Sequence, residues 1–311
     1  MTAIDARRSV PAGTAGPARK PRWTRDGFET RFFGIARWVV IGALLIVTAF
    51  PFYYMALLSI RDLGSVLNNP GALWTDVRHL NLSAYKRVLV SVSSGGEGFL
   101  GFMRNSAVLS FGTVALTLLV SIPGSYAISR LRFFGRRHIS VLFLAVYLFP
   151  SIILAVPLFV FFTRVNMRGS LVAVLLVYVS QTVAVSIYML RNYFDTIPVS
   201  LEEAAALDGC GRLGTMWRIS LPLAMPAILA NALFIFMVAW NEFLFALLFL
   251  ADDRSRWTVS LGLSELTGNS IEIPTTVLMA ASVVTTIPII VLFFASERLL
   301  AGGLTAGAEK G

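Results

Sequence analysis

Apolar and polar residues in this chain are sorted into long blocks instead of alternating at the short intervals of a water-soluble core. Six runs carry little or no charge: Trp38 to Ile60, Asn105 to Ser129, Ile139 to Thr163, Gly169 to Leu190, Leu223 to Leu250 and Ile273 to Ser296. A helix crosses a hydrocarbon core in roughly 20 residues, and every run is long enough. Six transmembrane helices are therefore predicted, and the fold class is all-α and polytopic. Prolines at 51, 123, 150, 157, 226 and 288 fall inside these runs. Neighbouring helices or water can satisfy the carbonyls they free, so they predict kinks and not interruptions. The first run is too long, and lies too far into the chain, for a cleavable signal peptide.

Between the fourth and fifth runs the pattern changes to Ser200-Leu201-Glu202-Glu203-Ala204-Ala205-Ala206-Leu207-Asp208-Gly209-Cys210, followed by Arg218-Ile219-Ser220-Leu221-Pro222. Ser200 to Glu203 fits a capping box, in which the serine takes an orphan amide and Glu203 reaches back. The alanines favour helix, and Gly209 can adopt the left-handed conformation that ends it. A second short helix over 212–220 is predicted, stopped by Pro222 before the fifth span. The small alanines leave a compact helix end able to enter a groove, while Glu202, Glu203 and Asp208 offer carboxylates to basic groups on a partner. The plainer alternative is a helix pair that only connects two spans.

Composition supports the membrane assignment: 56% of the 311 residues are hydrophobic and 14% charged. The net charge of +9 sets orientation and does not point to nucleic acid. With six spans, the arginines of the first 37 residues share a side with Arg130, Arg132, Arg136, Arg137, Arg191, Arg212 and Arg218. On the other side the basic residues are nearly matched by Asp62, Asp76, Glu97, Asp252, Asp253, Glu265 and Glu272. Both termini are therefore expected in the cytoplasm. Residues 1–30 have no periodic apolar face and read as a disordered basic tail, residues 31–300 as the membrane domain, and 301–311 as a cytoplasmic tail. Cys210 is the sole cysteine, which rules out an intrachain disulfide, and His79 and His138 fall on opposite sides, so no metal site follows.

The loop pattern of Glu203, Ala204, Ala205, Asp208, Gly209, Leu221 and Pro222 resembles the cytoplasmic coupling loop of binding-protein-dependent ABC importer permeases. Further segments are similar to the carbohydrate-importer, MalG-like branch: Asn81-Leu82-Ser83-Ala84-Tyr85, Asn105-Ser106, Ser125 to Phe133 with Gly135-Arg136-Arg137, Trp240-Asn241-Glu242-Phe243, and Gly303 to Ala308. The likeness runs from about Arg37 to the end of the chain. Cys210 departs from the usual alanine but keeps a small residue. The resemblance implies a cell-membrane (bacterial or archaeal) importer of type I permease fold. It also implies a second, MalF-like permease, a dimer of ATP-binding cassette ATPases, and an extracytoplasmic sugar-binding protein. Glu202, Glu203, Ala204, Ala205, Asp208, Gly209 and Pro222 would couple to the ATPase, which would hold ATP and Mg; this chain would bind no cofactor. The segment after Leu300 would either reach the ATPase interface or fray.

Glu242 is the acidic residue placed deepest in a span, and a carboxylate there is costly enough to be a functional candidate. With Trp240 and Asn241 it is expected to face the pore, where hydroxyl-rich ligands need acceptors, amides and an aromatic face. A hydrogen bond to the partner permease is the structural alternative. Tyr147, Gln181 and Asn231 are weaker candidates, expected to pack. Lys20, Lys86 and Lys310 are the three lysines, and none follows a glycine-rich turn, so no phosphate loop for ATP hydrolysis is present. No paired-Asp or Ser/His constellation for proteolysis lies within the spans. The remaining rivals are a permease for glycerol phosphate or amino acids, and an ion-coupled secondary transporter with Glu242 as proton site. Against the latter, no internal repeat is visible.

Overall fold

The computed structural model describes residues 25–268 and 273–308. The chain divides into two compact units, up to Tyr53 and from Tyr54 onward. The first consists, among the described residues, of most of helix α1 (Arg25–Ser59), whose stretch after Arg37 carries no charge on any side, as suits a helix bathed in hydrocarbon. Helix α1 takes in residues 25–30, which were assigned to the basic tail; residues 1–24 of that tail lie outside the described residues.

The second unit is helical among its described residues. Short helices α2 (Leu63–Asn68) and α3 (Ser83–Leu89) precede the long α4 (Phe99–Arg130). Then come α5 (Arg136–Leu148), α6 (Ser151–Arg164), α7 (Leu171–Phe194), α8 (Val199–Leu207) and α9 (Arg212–Thr215). A π-helical turn, Met216–Ser220, leads into α10 (Leu221–Leu223), α11 (Met225–Asn241), α12 (Leu244–Leu250), α13 (Val259–Gly268) and α14 (Thr275–Ala308).

At the centre α4 packs on α7, with α11 against both. The reason lies in a stripe of small polar residues on α4: Ser106, Ser110, Thr113, Thr117, Ser121 and Ser125 recur at helical spacing and are all buried. Hydrocarbon gives helices no hydrophobic reason to associate, so close backbone approach and buried hydroxyl bonds do that work. Thr117 bonds Thr182 of α7 at 2.9 Å, and Asn231 of α11 donates to Ser186 of α7. Asn231 is thus a packing polar, as expected; the Tyr147 side chain lies outside the described ones.

The loops gather at two ends. At one, Asn105 donates to the carbonyls of Ser255 and Trp257, Arg254 pairs with Glu97 and Glu265, and Arg256 donates to the Gly169 carbonyl. At the other, Ser129 donates to Asp195 at 2.6 Å and Arg130 to the Ile197 carbonyl at 2.7 Å.

Among the described residues, four helices are individually long and apolar enough to cross a membrane: Phe32–Ser59, Phe99–Arg130, Leu171–Thr196 and Thr275–Glu297. The third and fifth runs, expected to be continuous, are each broken. At Pro150 the predicted kink is an interruption, because Phe149 and Pro150 are both extended and Pro150 has no N–H to give the ladder. Pro51, Pro123, Pro157 and Pro288 do stay inside their helices. The fifth run breaks twice: between Leu223 and Met225, where a 75° bend precedes Pro226 and puts it in the first turn of α11 in place of the predicted mid-helix kink, and at Glu242, where no proline stands. Glu242 is extended there, and its own carboxylate starts the next helix.

Candidate functional site

Helix α8 begins at Val199, so Ser200 already lies in its first turn and the predicted Ser200–Glu203 capping box does not form. Pro198, extended and lacking an N–H, sets the entry instead. Gly209 ends the helix at φ +83°, as its placement predicted. The Cys210 amide bonds back to the Ala205 carbonyl at 2.9 Å and the Gly209 amide to Ala206 at 3.1 Å, the pattern of a left-handed helix stop. Pro222 does not end the second helix. It sits at the start of α10, where a missing N–H costs little, and the chain bends by 75° between Leu223 and Met225.

The carboxylates of α8 divide into two roles. Glu203 and Asp208 are exposed together with Ala204 and Gly209, while Ala205 is buried beneath them. Glu202, expected to reach a partner, is turned inward with its side chain 12% exposed. Its Oε1 accepts from Arg130 Nε at 2.8 Å and Ser220 Oγ at 2.7 Å, and its Oε2 accepts from Tyr126 at 3.3 Å. A cavity of about 460 Å³ opens beside these groups, bordered also by Arg132 and Arg212. What the sequence pattern missed is the apolar part of the loop surface. Leu207 is 90% exposed at the very end of α8, and Leu213 and Trp217 are exposed on the second helix. Leucine beside a glycine turn in a polar loop was the available signal.

The three residues proposed for the pore do not act as a group. Trp240 is 2% exposed, stacks on Phe236 with ring centroids 5.3 Å apart, and donates its indole N–H to the Thr285 carbonyl at 3.2 Å. It holds α11 to α14, and a ligand-facing role is corrected to a packing one. The crevice that it borders, about 1160 Å³, is walled mainly by apolar side chains such as Phe111, Phe236, Val291 and Leu292, with Ser91, Ser93, Arg104, Arg254 and Ser255 as its polar groups. Glu242 accepts the amides of Phe245 at 2.9 Å and Ala246 at 3.1 Å, so its charge is held at the N-terminus of α12. Asn241 alone of the three is exposed, with its amide on the Met237 carbonyl.

The model of binding-protein-dependent transport system inner membrane components matches residues 121–305, which hold the whole α8 to α10 loop and both broken segments. The chain belongs to this family. The permease is 37% identical over 275 residues to the inner membrane ABC transporter permease protein YcjP of Escherichia coli, covering 87% of this chain and 94% of that one. It is 36% identical over 275 residues to the trehalose/maltose transport system permease protein MalG of Thermococcus litoralis, covering 88% and 96%. In structure it is similar to a chain of a bacterial ABC transporter involved in import of the polysaccharide alginate. That match has a TM-score of 0.71 at 24% identity and covers 90% of the permease and 99% of the other chain. At that identity the likeness establishes the helical fold alone; that the chain is a multi-pass ABC transporter permease rests on the family match and the two relatives.

Proposed function

We propose that the permease is one of two pore-forming subunits of an ATP-driven importer that carries a sugar or oligosaccharide into the cytoplasm from an extracytoplasmic binding protein. The observation that carries this is the loop from α8 to α10. Its outer surface presents Glu203, Leu207 and Asp208 around a glycine-locked turn, while Glu202 ties its inner side to the end of α4. A rigid, partly apolar knob with carboxylates at its rim suits docking into a partner's groove. The partner proposed is a dimeric cytoplasmic ATPase, which would hold ATP and Mg, with Glu203, Ala204, Asp208 and Gly209 at the contact and Glu202, Ala205 and Pro222 supporting it. Six passes are proposed, counting α5 with α6 and α11 with α12 as one each, with both termini in the cytoplasm. A second, MalF-like permease would complete the pore opposite Asn241.

The sugar assignment is supported by the relatives, which include transport permeases for trehalose and maltose and for diacetylchitobiose. An ion-coupled transporter is disfavoured, because the matched family, over residues 121–305 that hold Glu242, is one of binding-protein-dependent transport components. The test is purification of a tagged permease in mild detergent, with mass spectrometry of its companions and uptake of labelled oligosaccharides against glycerol phosphate. An ATPase and a second permease should co-purify, and oligosaccharide uptake should require ATP. A permease that purifies alone and transports without ATP would overturn the proposal.

A further inference from the structure

Given the coupling role proposed for the loop, we infer that Arg130 and Glu202 form a transmission clamp: a buried ion pair through which movement of α8 is handed to the membrane helix α4. The backbone neighbours of α8 are mainly α9 and the π-helical turn. Its tie to α4 runs through side chains. Glu202 receives Arg130 and Tyr126 from the last two turns of α4 and Ser220 from the π-helical turn, joining both limbs of the loop to one span.

Arg130 continues the connection. Its Nη2 donates to the Ile197 carbonyl at 2.7 Å, just before α8, so its guanidinium grips the loop at two points. One residue earlier, Ser129 donates to Asp195, which itself lies 3.5 Å from Arg191 at the end of α7. The pair is buried on both sides, at 9% and 12% side-chain exposure. The cavity beside the pair opens to water, but at this exposure the pair is screened much less than a surface one, and the planar guanidinium fixes direction as well as distance. A surface ion pair would slip under load; a buried, multiply bonded one moves its two helices together. The π-helical turn matters here because Ser220 sits in it, and a widened turn is a common mark of a functional segment. Arg130 and Glu202 are positioning residues: the clamp touches neither sugar nor nucleotide.

The test uses the complete importer in proteoliposomes, with binding-protein-stimulated ATP hydrolysis and sugar uptake measured on one preparation. Arg130→Ala leaves the outer surface of α8 untouched, so the ATPase should still co-purify and ATP should still be hydrolysed. Sugar moved per ATP hydrolysed should fall at least tenfold. Arg130→Lys, which keeps the charge but loses the fork to Ile197, should fall between. The double variant Arg130→Ala with Glu202→Ala should be no worse than the worse single one, since both remove one link. If Arg130→Ala does not reach the membrane, Glu202→Gln, matched in size, carries the same measurement. An unchanged ratio of uptake to hydrolysis in an assembled variant sinks the clamp. Leu207→Asp separates the two ideas. If it expels the ATPase while Arg130→Ala leaves the ratio unchanged, the docking surface stands and the clamp falls. If Leu207→Asp has no effect on either activity, the coupling role itself is wrong.

Discussion

Substituting Gly209 offers the sharpest separation of loop geometry from loop chemistry. Gly209 sits at φ +83°, a conformation in which an L side chain costs roughly 1–2 kcal/mol and a β-branched one more. Nothing lies within 4 Å of where its Cβ would stand, so the penalty of Gly209→Val is backbone strain alone and not a collision. A cost of 1–2 kcal/mol lowers the native turn by a factor of about 5 to 30 against its relaxed alternatives. Gly211, two residues on, is an internal control: its φ is −71° and its Cβ would also meet open space, so Gly211→Val adds a similar side chain without that strain. Gly209→Asn should recover much of the activity, because asparagine tolerates the left-handed region. Each variant is reconstituted with its ATPase, and uptake and binding-protein-stimulated hydrolysis are read from one preparation. Gly209→Val should lose both while remaining in the membrane, and Gly211→Val should keep both. Wild-type activity in Gly209→Val, or equal damage in Gly211→Val, would refute the claim that the shape of this turn is what matters.

Other expectations follow from individual contacts. A membrane-impermeant maleimide should label the half-buried Cys210 in inside-out vesicles and spare it in intact cells, and the reverse result would invert the proposed topology. Trp240→Ala should cost about 3–5 kcal/mol through an unfilled cavity and lower the yield of assembled complex, whereas Asn241→Ala should leave yield alone and change uptake or its selectivity. Size-exclusion chromatography beside an uptake assay distinguishes them, and equal behaviour would void the division of roles drawn between these neighbours. Gly262→Ala should destabilise by about 1–3 kcal/mol, because its Cβ would stand 2.5 Å from the Phe102 ring, while Gly268→Ala meets open space; thermal unfolding in detergent compares the two.

What the chain determines by itself is whatever depends on neighbours in sequence. The long charge-free runs dictate membrane helices, because hydrocarbon solvates each segment according to its own composition and the backbone must bond within the segment. The left-handed stop at Gly209 was legible for the same reason: glycine after an alanine-rich turn is a local conformational preference, and the structure has φ +83° there. The stripe of serines and threonines along α4 is also local in spacing, although the partner it packs on is not.

Tertiary structure decided where the charges went. Glu202 and Glu203 are adjacent and chemically identical, yet successive helical residues point about 100° apart, so one meets Arg130 and the other faces outward. Arg130 lies 72 residues away in sequence, and no local pattern announces that pairing. Glu242 looked like a pore carboxylate because it interrupts an apolar run; a helix break beside it supplied two free amides, and satisfying them locally cost less than leaving the charge in the bundle. Trp240 looked like a sugar platform until α14 arrived with the Thr285 carbonyl to accept its N–H. Composition selects the solvent in which each segment lives, but a polar side chain inside that solvent takes whichever partner the packed helices bring within about 3 Å.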